Sequence, residues 1–141
     1  KPENVVDLVM ADYDNYIGKY VFEGVCRAAF RELAGFKYSK IGRWWLAGEE
    51  IDLVAINENN NEICFAECKW RNRKASVSEL RALEEKAKKV SWRNGSRKER
   101  FAFFSRSGFN ADAEDFAEKN RILLFDLNDI EKALGQKQGG K

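Results

Sequence analysis

The sequence predicts an α/β fold, a mixed β-sheet with helices on both faces. Three observations predict it. A long helical pattern opens the chain, three strand-like runs joined by turn residues come next, and helix–strand units close it. Strands joined by tight turns pair antiparallel, whereas a strand reached through a helix enters parallel, so the sheet must be mixed. At 141 residues with 44% hydrophobic and 13% aromatic content, the chain can build one domain with a real core. That domain is expected over residues 1–134, with a flexible tail over 135–141.

A short helix is expected within residues 1–12, with Asp12 or Asp14 capping the next one. Over residues 13–33, Ile17, Tyr20, Val21, Val25, Ala28, Ala29 and Leu33 recur at helical spacing, and Ala34-Gly35 supplies the stop. Lys40 to Leu46 reads as the first strand, with Ala47-Gly48 as the turn into a second strand from Glu49 to Ile56. Core packing is the favoured expectation for both Trp44 and Trp45, with base stacking as the alternative for one. Asn57 to Glu62 is an Asn-rich loop before a third strand, Cys64 to Trp70. Ser76 and Glu79 form a capping-box pattern for a helix reaching about Val90. Phe101 to Ser105 is an apolar strand of the buried kind. A helix over 111–120 capped by Asn110, a strand from Ile122 to Asp126 and a short helix over 129–134 complete the order.

Composition removes several kinds of chemistry. The chain has no histidine, which excludes histidine general acid–base catalysis and His-based metal motifs. The three cysteines lack a C-x-x-C pair and read as small buried hydrophobes in a reducing compartment. No apolar run approaches a membrane span and no signal peptide is evident, so a cytoplasmic location with no membrane association is expected. The chain opens on Lys1-Pro2 rather than Met, so a fragment of a longer protein is expected. Net charge is +2, from 25 basic and 23 acidic side chains, but the basic residues cluster. Lys69 to Lys74 and Arg93 to Arg100 look like phosphate-facing patches, with a plain solvated surface as the alternative.

Three charged residues interrupt the apolar strands. Asp52 breaks the second; Glu67 and Lys69 lie in the third. Carboxylates in a strand core are unfavourable unless something compensates them. By alternation Glu67 and Lys69 share one face, and Asp52 is expected to share its own with Val54 and Ile56. Pairing the two strands would bring Asp52 beside Glu67, with Lys69 converging on the same hollow. Two carboxylates and an ammonium at one end of a sheet suit a hard divalent cation, with the lysine steering a water or opposing negative charge. A buried salt-bridge network is the alternative.

This pattern resembles the PD-(D/E)XK nuclease superfamily: Asp52, then Glu67-Cys68-Lys69 as the E-x-K element, with Glu50-Ile51-Asp52 leading into the strand. Phe22-Glu23 matches the helix in which several branches, archaeal Holliday-junction resolvases among them, place a metal-site Glu. With Ile41-Gly42-Arg43-Trp44-Trp45 and Trp70 added, the chain is similar to the nuclease-like domain at the C-terminus of archaeal P-loop ATPases, over roughly residues 5–127. The resemblance implies a restriction-endonuclease-like core, ordered αβββαβ with an extra αβ, and hydrolysis of DNA phosphodiester bonds. It implies Mg²⁺ or Mn²⁺ held by Asp52 and Glu67, with the Cys68 carbonyl and Glu23 as further donors and Lys69 orienting the attacking water. DNA contacts are expected from Arg43, Trp70, Arg71, Arg73, Lys74, Arg93 and Arg97. An N-terminal ATPase domain is the expected partner, and a two-fold dimer would suit cutting both strands. The competing reading is a catalytically silent DNA-binding or regulatory module of the ATPase.

Overall fold

A computed structural model describes residues 15–139. The helix expected in residues 1–12 and the caps at Asp12 or Asp14 lie outside them. Helix α1 (Asn15–Ala34) is followed by strands β1 (Lys40–Leu46), β2 (Glu49–Asn57) and β3 (Glu62–Lys69). Helix α2 (Val77–Ala87), β4 (Lys98–Ser105), α3 (Ala111–Asn120), β5 (Ile122–Asp126) and α4 (Leu127–Gly139) complete the chain. The five strands lie side by side in chain order. The first three pair antiparallel and the last three parallel, as the hairpin and helix–strand links require.

The sheet separates two cores. On one face, Phe22, Cys26, Ala29 and Phe30 of α1 pack with Ile130 and Ala133 of α4 against Leu53, Ala55, Ala66 and Phe104. Their spacing along α1 is the stripe of a helix buried on one side. On the other face, Leu80, Leu83 and Ala87 of α2 and Ala113 and Ala117 of α3 cover Ile51, Ile63, Phe65 and Phe103. β3 is central, so Ile63 through Cys68 are all buried and the run reads as apolar without a solvent face.

Local chemistry sets the ends. Gly35 takes φ +61 and its N–H donates to the Arg31 carbonyl at 3.2 Å, closing α1. Glu79 accepts the Ser76 N–H at 3.0 Å, as the capping pattern expects. α2 stops at Ala87 rather than Val90. The Arg97 guanidinium then donates to the carbonyls of Ala87, Val90 and Trp92, which would otherwise be orphaned beyond the helix end. α4 continues through Gly135 to Gly139, so the expected tail begins inside a helix: the amphipathic pattern that docks Ile130 and Ala133 on α1 carries the backbone onward. No described helix is long and apolar enough to cross a membrane.

One irregularity decides which face of the sheet Asp52 takes. β1 and β2 are in register at Gly42–Val54 and again at Trp44–Ile51. Three steps on β2 thus match two on β1, so Asp52 and Leu53 together oppose Arg43. This is a β-bulge. It reverses the face that alternation gives Asp52. Leu53 and Ala55 face α1, Val54 and Ile56 face α2, yet Ile51 also faces α2. Asp52 therefore lies on the α1 side with Leu53, not with Val54 and Ile56.

The β1–β2 turn has both residues left-handed, Ala47 at φ +52 and Gly48 at φ +83. Tight hairpins use this geometry and favour Asn-Gly in it. An alanine there bears a steric penalty that asparagine largely avoids. Replacing Ala47 with Asn should raise stability by about 0.5–1 kcal/mol. The check is the urea midpoint at unchanged slope; an unmoved or lowered midpoint contradicts it.

Candidate metal and nucleic-acid site

The β2–β3 ladder ends at the Leu53–Ala66 pair. Beyond it β2 turns away, and Oδ2 of Asp52 accepts the Cys68 N–H at 2.8 Å. A side-chain oxygen thus replaces the ladder carbonyl for a fully buried amide. This places the Asp52 carboxylate, 4% exposed, in the gap between strands and next to Glu67, also 4% exposed. Glu67 projects from the face that carries Phe65, toward α2, where the Lys86 ammonium pairs with it. Lys86 also donates to the Glu50 carbonyl at 2.8 Å.

Glu23 reaches the same hollow from α1 and is 6% exposed. Between it and Asp52 sits Arg43. Its Nη2 pairs with Glu23 Oε1, and its Nη1 donates to Glu50 Oε1 at 3.1 Å and Asp52 Oδ1 at 3.4 Å. Lys19 stands 3.9 Å from Glu23 Oε2 and 3.8 Å from Glu50 Oε2. Glu23 Oε2 is nevertheless buried without a hydrogen-bond partner.

Burial and charge together shift both outer carboxyls. Burial, then the charge of Asp52, raises the Glu23 carboxyl, against the opposing pull of Arg43 and Lys19. Glu67 is pushed from its ordinary 4.5 to about 7 by burial first, then by the charge of Asp52 and the hydrogen bond between the two carboxyls; Lys86 only partly offsets this.

The structure sorts the expected residues. Asp52 stands at the break in the sheet, bonded to the Cys68 amide, with Glu23 near it on the α1 side and Glu67 near it on the α2 side. Lys69 shares the Glu67 face, toward α2, and is half-buried; the bulge that turns Asp52 to the α1 side therefore keeps Lys69 from converging with it on one face, contrary to expectation. Its charge reaches Glu79, whose carboxyl is lowered mainly by its Arg71 and Ser76 hydrogen bonds against the effect of burial. Lys69 has no ion-pair partner within 4 Å among the described residues. The Cys68 and Cys26 thiols are free and buried in the core, hydrogen-bonded to one another, in line with their reading as small hydrophobes. No group of three or more acidic or cysteine side chains among the described residues is arranged to hold a metal by itself.

The expected DNA contacts divide. Arg43 is held among carboxylates. Trp70 packs inward: its ring lies 5.3 Å from Phe22, is covered by Arg106 at 4.0 Å, and stands where a Cβ on Gly18 would come within 2.5 Å. Arg71 pairs with Glu79 at 2.5 Å. Arg73 and Lys74 are exposed in the loop after β3, at the end of the sheet that carries the hollow. Arg97 corrects the expectation of a phosphate contact, since its side chain is 3% exposed and closes the end of α2. Arg93 is also corrected. It donates to the Glu58 carbonyl and Asn61 at the β2–β3 turn, about 23 Å along β3 from Lys69 at ~3.3 Å per residue. Trp45 departs from the expected core packing, being 68% exposed, whereas Trp44 packs against the α2-side core.

Lys86 is a site residue that the sequence pattern does not reveal. It sits after Glu84-Glu85 on a charged helix, and nothing in its spacing marks it as the side chain that turns inward.

Residues 1–90 match a family described as archaeal and bacterial proteins of unknown function, DUF234. The chain belongs to that family. An uncharacterized protein of Methanocaldococcus jannaschii is 36% identical over 137 residues, spanning 91% of this chain and 29% of that protein. This DUF234 chain thus spans under a third of its curated relative. The crystal structure of a repair endonuclease from Pyrococcus abyssi matches 82% of the chain and 48% of its own, with a TM-score of 0.51 and 18% identity. The DUF234 domain has the restriction-endonuclease-like α/β fold, a mixed five-stranded sheet flanked by helices.

The raised Glu67 carboxyl has a measurable consequence. The folded protein binds this proton more tightly than the unfolded chain, so its stabilising contribution is complete below pH 4.5 and is lost as pH rises through about 7. Glu67→Gln should flatten that decline and leave the metal-free protein about 1–3 kcal/mol more stable than wild type at pH 8. Urea denaturation across the pH series measures it; parallel curves for the two proteins would contradict it.

Proposed function

We propose that this domain is a divalent-metal-dependent nuclease that hydrolyses phosphodiester bonds in DNA. The observation that supports it is the buried Asp52–Glu67 pair at the break between β2 and β3, where burial first and then the charge of Asp52 push the Glu67 carboxyl up to about 7. The donors are hard oxygens, which Mg²⁺ and Mn²⁺ prefer, and the unpartnered Oε2 of Glu23 offers another. Asp52 and Glu67 would hold the ion, with the Cys68 carbonyl and Glu23 as further donors. When bound, such an ion lowers the pKa of its water and clamps phosphoryl oxygens.

The chain's own residues supply the rest. Lys69, on the Glu67 face and without an ion pair among the described residues, orients the attacking water and opposes charge growing on the phosphate. Arg73 and Lys74, exposed beyond β3, meet the flanking backbone. With no histidine in the chain, protons must move through the carboxylates, Lys69 and water.

A second reading keeps the fold and DNA binding but not the cleavage. Arg43 and Lys86 favour it, because they already pair with Glu23, Asp52 and Glu67. In either reading we place the domain beside a P-loop ATPase within a longer cytoplasmic protein. The M. jannaschii relative, of which the chain covers 29%, has room for one. Pairing of two such domains would suit cutting both strands.

The test pairs calorimetric titration of Mn²⁺ with incubation of plasmid and branched DNA. Under the nuclease reading Mn²⁺ binds and Asp52→Ala abolishes binding. Cleavage is then metal-dependent and falls about a hundredfold or more in Glu67→Ala and Lys69→Ala. Salt-sensitive DNA binding with neither Mn²⁺ uptake nor cleavage selects the silent module.

A further inference from the structure

Three hollows adjoin along the outer side of α1. One lies between Trp45, Tyr20, Lys19 and Arg43, with a volume of about 400 Å³. The next, about 200 Å³, shares Tyr20, Glu23 and Arg43 with it and reaches Asp52 and Leu53. The third, about 690 Å³, shares Gly24 and Arg27 with the second and ends at Arg31 and Tyr38. The shared residues make them one groove between α1 and the edge strand β1. From Lys19 to Arg31 it runs along α1 for about 18 Å at ~1.5 Å per residue.

Its lining mixes aromatic and basic side chains with the carboxylates of Glu50, Glu23 and Glu32. Trp45 is 68% and Tyr20 54% exposed at one end. Tyr38 lies at the other, with the Arg31 guanidinium 4.2 Å above its ring. Between them Arg27, exposed, donates to the Ile41 carbonyl at 2.8 Å and keeps its remaining N–H groups for other acceptors. The floor is Gly24 and Ala28, both exposed; a Cβ on Gly24 would meet nothing within 4 Å. The middle hollow opens onto Asp52 and Glu23, so whatever lies in the groove passes over the candidate site.

We propose that this groove is a track for one strand of unpaired DNA, held by Arg27 and Arg31 at its phosphates and by the exposed Trp45 against its bases. Aromatic surfaces bind any exposed base by stacking, and spaced arginines track a phosphodiester backbone. A duplex keeps its bases stacked on each other and offers the aromatic ends no free face. The proposal deepens the nuclease reading by naming its substrate class, DNA with a single-stranded segment, and rests on that reading only for what happens at Asp52 and Glu67.

The test is fluorescence anisotropy with a short labelled single strand and the matching duplex, using the whole chain with chelator present so that binding is read without cleavage. The single strand should bind more tightly than the duplex. Trp45→Ala should weaken it by roughly five- to a hundredfold, and Arg31→Glu should weaken it and flatten its salt dependence by about one phosphate. Gly24→Leu should weaken it roughly tenfold or more without lowering the melting temperature, since the added side chain enters open space on a helix. Single-strand binding unchanged in Trp45→Ala and Gly24→Leu, or absent in wild type, overturns the proposal; a protein partner for this face would give the latter result. Metal-dependent cleavage that persists with unaltered binding in these variants removes the track and leaves the nuclease. Variant-sensitive binding without any cleavage removes the nuclease and leaves the track.

Discussion

The hydrogen bond from the Cys68 amide to Asp52 is the constraint on which the site depends. β3 is central, and a buried amide that loses its ladder partner is unfavourable by about 1–3 kcal/mol. The bulge opposite Arg43 lets β2 part from β3 while it stays paired with β1, and the Asp52 carboxylate takes over the vacated acceptor position. The same event opens a gap between two strands and places a charge in it. Sheet topology alone would have left Asp52 facing α2. The bulge turns it to the α1 side, where Glu23 and Arg43 can reach it, while its position in the gap keeps it beside Glu67.

Asp52 therefore has a structural role that precedes any chemical one. Oδ2 is committed to the backbone of β3, and Oδ1 faces Arg43. An alanine there removes an acceptor from a buried amide as well as a charge, so Asp52→Asn is the cleaner probe of the charge. Glu67 differs. Its pairing with Lys86 is side chain to side chain, and Lys86 is part-exposed. Four acidic side chains, Glu23, Glu50, Asp52 and Glu67, face three cations, Lys19, Arg43 and Lys86. Buried ion pairs contribute little net stability, and burial with the charge of Asp52 raises the Glu67 carboxyl although Lys86 pairs with it. A divalent ion or a phosphate-facing rearrangement of the cations addresses the same imbalance from opposite sides, which is why metal binding separates the two functional readings.

Much of this was legible in the sequence because it rests on local pattern. The strands around Asp52 and Glu67, the stop at Gly35 and the Ser76–Glu79 cap arise from periodicity and turn chemistry, and the mixed sheet from the order of elements. What was not legible depends on geometry between elements. A bulge adds no signature residue to Glu50-Ile51-Asp52-Leu53, so alternation put Asp52 on the wrong face. Arg97 sits in a basic run that reads as a surface patch, and only the end of α2 at Ala87 shows that its guanidinium is needed inside. Trp70 comes directly after the E-x-K element and looks available for DNA, but Gly18, fifty-two residues earlier, leaves the space that draws it into the core. Trp45 erred in the opposite direction, because an edge strand past the last helix contact has nothing to cover it.

Two glycines in α1 separate what the fold needs from what the site needs. Each glycine in a helix interior is less favourable than alanine by about 1 kcal/mol. Gly18 is accounted for by packing, since any Cβ would meet the Trp70 ring at 2.5 Å. Gly24 has no such account: a Cβ there would touch nothing within 4 Å, and the residue is exposed one position after Glu23. Folding alone would be served better by alanine at that point. A residue that the fold does not need, on the floor of a groove leading to Asp52, makes sense as room kept for something outside the chain. That is the physical reason for attaching a ligand to the α1–β1 groove.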